Sequence, residues 1–338
     1  MKAVGFTRYL PIDDAQALLD VELATPEPTA HDLLVRVEAV SVNPVDTKVR
    51  SPKAHVEAEP KILGYDAAGI VEAVGAAVTL FKPGDAVYYA GDITRSGSNA
   101  QYQRVDERIV GTKPATLDFA QAAALPLTTI TAWELLFHRM GYDADGADAG
   151  KSLLIIAGAG GVGSMAIQLA RRAGFTTIAT ASRPETVAWC RAMGADHVVD
   201  HRQPLAAQLE SLGFAQVDAI VNLADTAKYW QAMGELIAPQ GRFGLIVEPS
   251  APLNLGDPLK AKCVSIHWEM MFARARFQTA DMIEQHRLLE RVAALIDAGE
   301  LKSTHSATIG TINAANLREA HRQLESGTTI GKLSLAGW

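Results

Sequence analysis

The sequence predicts an α/β protein of two domains, a β-rich, barrel-like unit followed by a doubly wound parallel sheet. Three observations predict it. The chain has 338 residues, and domains run at roughly 150 residues each. Its first third is built of short, alternating β-branched runs parted by Gly and Pro turns, the spacing of a small barrel. Beyond Lys151, all-apolar strands alternate with amphipathic helices, which indicates a parallel sheet covered on both faces.

The elements follow in order. The N-terminus, MKAVGFTRYLPIDDA, reads as a first strand rather than a signal peptide, because its apolar patch is broken by Pro11, Asp13 and Asp14. Leu33–Val42 and Gly69–Val74 are strands, and Lys82-Pro83-Gly84-Asp85 is a turn feeding a strand over Ala86–Ala90. Asp118 is placed to cap a helix over Phe119–Leu125, Pro126 interrupts it, and a longer helix is expected over Thr128–His138. After the loop Gly141–Gly150, strands are expected at Leu153–Ala157, Thr176–Ala181, His197–Val199, Val217–Leu223 and Arg242–Val247. Helices are expected at Val162–Ala173 and Glu185–Met193. The tail reads as helix Ala280–Gly299, strand Ser306–Ile309, helix Asn313–Ser326 and strand Lys332–Leu335, returning to the first domain.

Composition narrows the function. A net charge of −7 argues against a nucleic-acid binder, which shows a basic excess or stripe. No apolar run approaches the ~20 residues that span a bilayer. Cys190 and Cys263 are the only cysteines. They make neither a disulfide framework nor a four-cysteine zinc lobe, so a reducing, cytoplasmic setting is expected. Each is read as a buried small apolar residue.

The strongest chemical signal is Gly158-Ala159-Gly160-Gly161-Val162-Gly163, a GxGxxG directly after an apolar strand and directly before a helix. Gly158 is expected to allow the tight turn, Gly160 to let the backbone approach a pyrophosphate, and Gly163 to let the helix pack closely on the sheet. The helix N-terminus then offers free N–H groups to the phosphates. The next strand ends in Ser182-Arg183-Pro184, with no acid at its tip to accept from ribose hydroxyls. A hydroxyl and a guanidinium suit a 2′-phosphate, so NADPH is the expected cofactor. Ser182 with Glu185 also reads as a capping box, and the two roles are compatible.

Other motifs stand in a fixed order around this turn: Val42-Asn43-Pro44-Val45-Asp46, Gly64-Tyr65-Asp66-Ala67-Ala68-Gly69, Lys82-Pro83-Gly84-Asp85, Ala124-Leu125-Pro126-Leu127-Thr128 with Thr131-Ala132-Trp133, Met193-Gly194-Ala195-Asp196 and Gly331-Lys332-Leu333-Ser334-Leu335. Over nearly all of its length the chain resembles the medium-chain dehydrogenase/reductase superfamily. More narrowly, it resembles the zinc-free quinone oxidoreductase (zeta-crystallin-like) branch, which includes proteins labelled zinc-type alcohol dehydrogenase-like. The resemblance implies a GroES-like catalytic domain over 1–127, a Rossmann NADP-binding domain over 128–270, and a return segment over 271–338 that completes the first. It places the active site in the cleft between them, with Thr128 and Thr131 near the nicotinamide and phosphates and His201 beside the adenine. Asn222, Leu245 and Val247 fall at strand ends that line the cofactor in the family, and Lys332 would close over it from the tail. A homodimer joined through the Rossmann sheets is the family expectation.

Zinc alcohol dehydrogenases of this superfamily carry a Cys at the position of Asn43, a His-Glu pair at Tyr65-Asp66 and a Cys near Leu127-Thr128. Asn, Leu and a neutral Tyr are poor replacements. The stretch Val87–Val110, where a structural zinc lobe is expected, has no cysteine, and His267 lacks a partner histidine. No metal is therefore expected. Without a Lewis acid the substrate should be already electrophilic, a quinone or an alkene conjugated to a carbonyl, whose oxygen needs only hydrogen-bond donors and a later proton. Candidate catalytic groups are the Asn43 amide, the Lys48 ammonium (where close relatives often carry Tyr) and the Tyr65 phenol, while Asp46 is expected to hold its loop through backbone bonds. Trp268, Met270, Met271 and Phe272 form an apolar cluster that lines the substrate cleft or belongs to the core or a dimer interface. The alternatives to an NADPH-dependent quinone or enone reductase are a zinc-dependent alcohol dehydrogenase and a non-catalytic NADPH-binding protein.

Overall fold

A computed structural model describes residues Met1–Trp338. Its first stretch runs β1 (Lys2–Tyr9), β2 (Leu19–Glu22), β3 (Asp32–Ser41), α1 (Pro44–Arg50), β4 (Lys53–Ile62), β5 (Ala67–Val74), β6 (Ala86–Tyr89), β7 (Tyr102–Asp106) and β8 (Val110–Thr112). Helices α2 (Phe119–Ala123) and α3 (Pro126–Trp133) follow, and α3 continues into a π-helical turn over Glu134–Arg139. The second stretch is β9 (Ser152–Ile156), α4 (Gly161–Arg172), β10 (Thr176–Thr180), α5 (Pro184–Ala192), β11 (His197–Val199), α6 (Leu205–Ser211), β12 (Val217–Asn222), α7 (Thr226–Leu236), β13 (Ile237–Leu245) and β14 (Ser265–Trp268). The tail is α8 (Ala273–Phe277), α9 (Glu284–Asp297), β15 (His305–Gly310), α10 (Ala314–Glu325) and β16 (Lys332–Ala336). Two units result, Met1–Ile130 with Phe272–Trp338, and Thr131–Met271.

In the first unit β3 is the organising strand. Leu33, Val35, Val37 and Ala39 are buried on one face, while Arg36 and Glu38 of the other face stay half-exposed. It pairs antiparallel with β5, β7 and β16, giving the sheet path β15-β16-β3-β5-β6-β8 with β7 on β3. A smaller sheet, β2-β1-β4, completes this GroES-like unit. The pairing of β16 with β3 brings the C-terminal Lys332 region beside Ser41–Asn43. Helix α9 closes one side because Leu288, Leu289, Val292, Leu295 and Ile296 fall on one face at helical spacing. Strand β4 lies largely exposed and is not among the expected elements, although Ala54, Val56, Ala58, Pro60 and Ile62 alternate with polar residues at the period of a strand.

The second unit is a six-stranded, wholly parallel sheet in the order β11-β10-β9-β12-β13-β14. Numbered within the unit this is 3-2-1-4-5-6, the Rossmann order, in which direction reverses between the first and fourth strands. Strand β9 (SLLII) is buried at every residue, as a sheet covered on both faces requires. Leu154, Ile156, Ile178, Ile220 and Phe243 form its core with Trp230 of α7. Helix α3 begins at Pro126 rather than at Thr128, because proline suits the first helical turn. Cys190 is buried, but Cys263 is exposed at φ +52°, so it is no core residue. No helix is long and apolar enough to cross a membrane.

Candidate active site

In the first unit a buried polar network forms where the motifs Asn43–Asp46, Gly64–Asp66 and Gly331–Lys332 meet. Pro44 starts α1, so Asn43 sits just before a helix with its backbone N–H free, and the Asp46 carboxylate accepts it at 2.8 Å. The other Asp46 oxygen accepts the Gly64 N–H at 3.1 Å, so Asp46 holds two loops together through their backbones. Gly64 itself has φ +111°, and a Cβ there would lie 2.4 Å from Ser98 Oγ. Beside it both oxygens of Asp66 are hydrogen-bonded within the protein. Its Oδ1 accepts the Leu127 N–H at 2.7 Å, an orphan donor of the first turn of α3, and its Oδ2 accepts Asn43 Nδ2 at 2.8 Å. Lys332 Nζ lies 3.0 Å from the same Oδ2 and also donates to Asn43 Oδ1 at 2.7 Å and to the Val42 carbonyl at 2.6 Å.

Asn43, Asp46, Asp66 and Lys332 are all buried. Burial pushes both carboxyls up, Asp46 to about 7, while the Lys332 ammonium and the donated hydrogen bonds oppose it. The Tyr65 ring is buried edge-on against Phe272, 5.3 Å between centroids. Burial first, and then the Asp46 charge, hold its phenol protonated far above neutral pH. No protein group bonds its hydroxyl. Lys48 is exposed on α1, apart from this network. Thr128 is buried with its hydroxyl on the Leu125 carbonyl, and Thr131 is buried one turn further along α3. These residues do not fit a zinc ion: Asp66 is consumed by three donors, Asn43 and Leu127 are poor ligands, and no three His, Cys, Asp or Glu side chains gather to share a metal.

In the second unit the glycine turn lies between β9 and α4. Ala157 bears the left-handed conformation, φ +67°, so it and not Gly158 makes the tight turn. Its N–H is held by Thr180 Oγ1 at 3.0 Å. Gly158 is required for packing instead, since a Cβ there would lie 2.7 Å from Ala179 Cβ and 3.3 Å from Cys190 Sγ. A Cβ on Gly163 would lie 2.4 Å from the Ala157 carbonyl, so the helix passes the strand end at backbone distance. Gly160 differs: a Cβ there would meet only the Ala157 carbonyl, at 3.7 Å. The space above Gly160 is thus open, and no side chain caps α4. By helix geometry the N–H groups of Gly161, Val162 and Gly163 have no acceptor within α4. Such a cradle fits a dinucleotide pyrophosphate.

The strand ends flank this turn. Arg183, not Ser182, is the N-cap of α5, its N–H donating to Thr186 Oγ1 at 3.1 Å. The Ser182–Glu185 box does not form, because Pro184 starts the helix one residue later than that box needs. Glu185 instead pairs with the Arg183 guanidinium at 3.0 Å. The Ser182 carbonyl accepts from Arg202, which also grips Asp200. His201 follows β11, half-buried, its imidazole held below the usual range by that burial. Asn222 is buried at the end of β12 with Oδ1 on the Ala224 N–H, so it shapes its own turn. Leu245 is core, and the Val247 carbonyl accepts from Thr226 Oγ1.

One group in this unit had no signal in the sequence. Arg139, on the π-helical turn, bonds Glu134 at 3.1 Å and Glu269 at 2.7 Å, and both carboxyls are buried. Burial, then the Glu134 charge, push Glu269 up to about 8. Their sequence separation hides the cluster, although a π turn is a known marker of special sites. Just beyond, Met271 and Phe272 are buried while Trp268 and Met270 are exposed.

Residues 29–127 match the family model of the alcohol dehydrogenase GroES-like domain, and residues 193–335 match that of zinc-binding dehydrogenases. A zinc-type alcohol dehydrogenase-like protein of Staphylococcus aureus is 43% identical over 334 residues, 98% of this chain and 99% of its own. A solved Rhizobium etli chain with a provisional zinc-dependent alcohol dehydrogenase name shares 53% identity at a TM-score of 0.94, covering 100% of this chain and 98% of that one. An NADPH-dependent alkenal/one oxidoreductase of Arabidopsis thaliana is 35% identical over 252 residues, 71% of this chain and 63% of its own.

Proposed function

The chain belongs to the medium-chain dehydrogenase/reductase superfamily, and from that premise we propose that this oxidoreductase uses NADPH to reduce a quinone or an α,β-unsaturated carbonyl without zinc. The observation that carries the reading is that both Asp66 oxygens are committed to protein donors. With the Lys332 ammonium, the Asn43 amide and the Leu127 N–H on those two oxygens, Asp66 leaves no carboxylate to hold a Lewis acid. A Lewis acid chiefly serves an alcohol substrate, by lowering the barrier to loss of its proton; an electrophilic acceptor has no such need. The alkenal/one reductase relative supports the same class of acceptor and the phosphorylated cofactor.

When bound, the reduced nicotinamide supplies a hydride. The chain's own groups do the rest. Gly160 and the N–H groups at the head of α4 would hold the pyrophosphate, and Ser182 with Arg183 the 2′-phosphate. Tyr65, kept protonated by burial, donates a hydrogen bond to the acceptor oxygen as charge develops there, and a phenol so held is a better donor than acid. The second hydrogen of Asn43 Nδ2 is free to do the same or to hold ribose. Lys48, exposed, has the smaller part. A homodimer joined through the edge strand β14, where Ile266 and Trp268 are exposed, belongs to the same reading.

The test is a spectrophotometric screen of NADPH oxidation against small quinones, alkenals, enones and aldehydes, with alcohols plus NADP+ as the reverse arm. The proposal expects turnover with quinones or conjugated carbonyls. Turnover confined to alcohols and simple aldehydes, or none despite tight NADPH binding, would contradict it.

A further inference from the structure

We propose that Lys332 is a positioning residue for the acceptor side of the reaction, aiming the Asn43 amide and the Asp66 carboxylate, and makes no bond to the cofactor. The argument is a count of donors. An ammonium has three N–H bonds and no acceptor. Lys332 Nζ has three acceptors within the protein: the Val42 carbonyl at 2.6 Å, Asn43 Oδ1 at 2.7 Å and Asp66 Oδ2 at 3.0 Å. Nothing is left for a phosphate or a ribose. Lys332 is also the only buried lysine of the chain, so the contacts are not those of a wandering surface side chain.

The same geometry fixes which way Asn43 faces. Its oxygen must turn to the ammonium and its NH₂ to the Asp66 carboxylate, because the flipped amide would set NH₂ against NH₃⁺ and oxygen against a carboxylate. One Nδ2 hydrogen goes to Asp66, and the other is aimed by elimination. Asp66 in turn fixes the first turn of α3 through the Leu127 N–H. A fixed cation tethered to β16 thus orders Asn43, Asp66 and the start of α3 at once, in place of an exchangeable one. The inference rests on the reductase reading for what Asn43 acts upon, but the ammonium's partners do not.

Full-length K332M, K332A and Gly160→Val test it, with NADPH affinity read by fluorescence titration and kcat read at saturating NADPH and acceptor. K332M should hold NADPH within about threefold of wild type and lose about tenfold or more in kcat, whereas Gly160→Val should lose affinity. Propylammonium should restore part of kcat in K332A, whose missing side chain leaves room for it, and should do nothing for K332M, whose thioether fills that room. Weakened NADPH binding with kcat intact in K332M would overturn the proposal, as would an absence of amine rescue. If neither Lys332 variant folds, the wild-type protein decides. A ¹⁵N–¹H spectrum selective for ammonium groups should show one slowly exchanging signal without NADPH, persisting when NADPH is added. A signal that sharpens only with NADPH would overturn the proposal. An enzyme inactive with every acceptor would sink the reductase reading and leave this spectrum as the independent test.

Discussion

On the proposed reading, Arg183 is the residue that would select the phosphorylated form of the cofactor. It stands at the tip of β10 as the N-cap of α5, about one-third exposed, with Glu185 as its ion-pair partner. Where an NAD-binding sheet places an acid, this chain presents a guanidinium and the Ser182 hydroxyl. Arg183→Ala removes a charge-assisted contact of about 1.5–3 kcal/mol, so NADPH should weaken by roughly 10- to 100-fold. NADH, lacking the phosphate, should change by about threefold or less. Parallel titrations of the two cofactors check this, and equal losses would contradict the assignment.

At the level of the element, the turn between β9 and α4 separates two kinds of glycine. Gly160 has φ −73° and ψ 173°, extended backbone that valine adopts freely, and open space at its Cβ. Gly160→Val should therefore melt within about 3 °C of wild type, a change on the order of 1 kcal/mol, while NADPH binding is lost. Gly163→Val, with backbone oxygen 2.4 Å from its Cβ, should not fold well. A cluster in the same unit sets a pH dependence. Glu269 is raised from 4.5 to about 8, so between those values the folded chain keeps a proton that the unfolded chain has released. Stability is therefore lost as pH rises through that window. Glu269→Gln, uncharged throughout, should match wild type near pH 4 and exceed it by on the order of 1–3 kcal/mol near pH 8. Urea denaturation at the two pH values measures the difference, and a constant offset would contradict it. These elements also show what the sequence could tell. Strand β9 and helix α4 were legible because an all-apolar strand, a glycine turn and an amphipathic helix are local patterns. Strand β14 and helices α6 and α7 are not among the expected elements, nor is the seating of Lys332 on Asp66. Strand β14 and helix α6 are short and show little period, whereas α7 does carry a helical one, Tyr229, Trp230, Met233 and Leu236 behind the Asp225 cap, that went unassigned. The seating of Lys332 joins residues far apart in the chain, and a single lysine in a strand gives no sign that it is buried. The capping box at Ser182 was misplaced by one residue because Pro184 sets where α5 starts.

Across the whole molecule, one unit supplies a Rossmann-like parallel sheet in 3-2-1-4-5-6 order, and the other supplies a buried amide, a protonated phenol and a tethered ammonium. The relatives bear zinc in their names, while the donors at the corresponding positions of this chain are Asn43, Tyr65, Asp66 and Leu127. Those two facts part company at a single quantity, the dependence of turnover on metal. The decisive measurement is kcat for NADPH-driven reduction of an active enone or quinone by protein dialysed against a strong chelator, with zinc quantified in the same sample. Full turnover in zinc-free protein, unchanged when zinc is added back, is the expected result. Activity that falls with the chelator and returns in proportion to zinc would contradict the account.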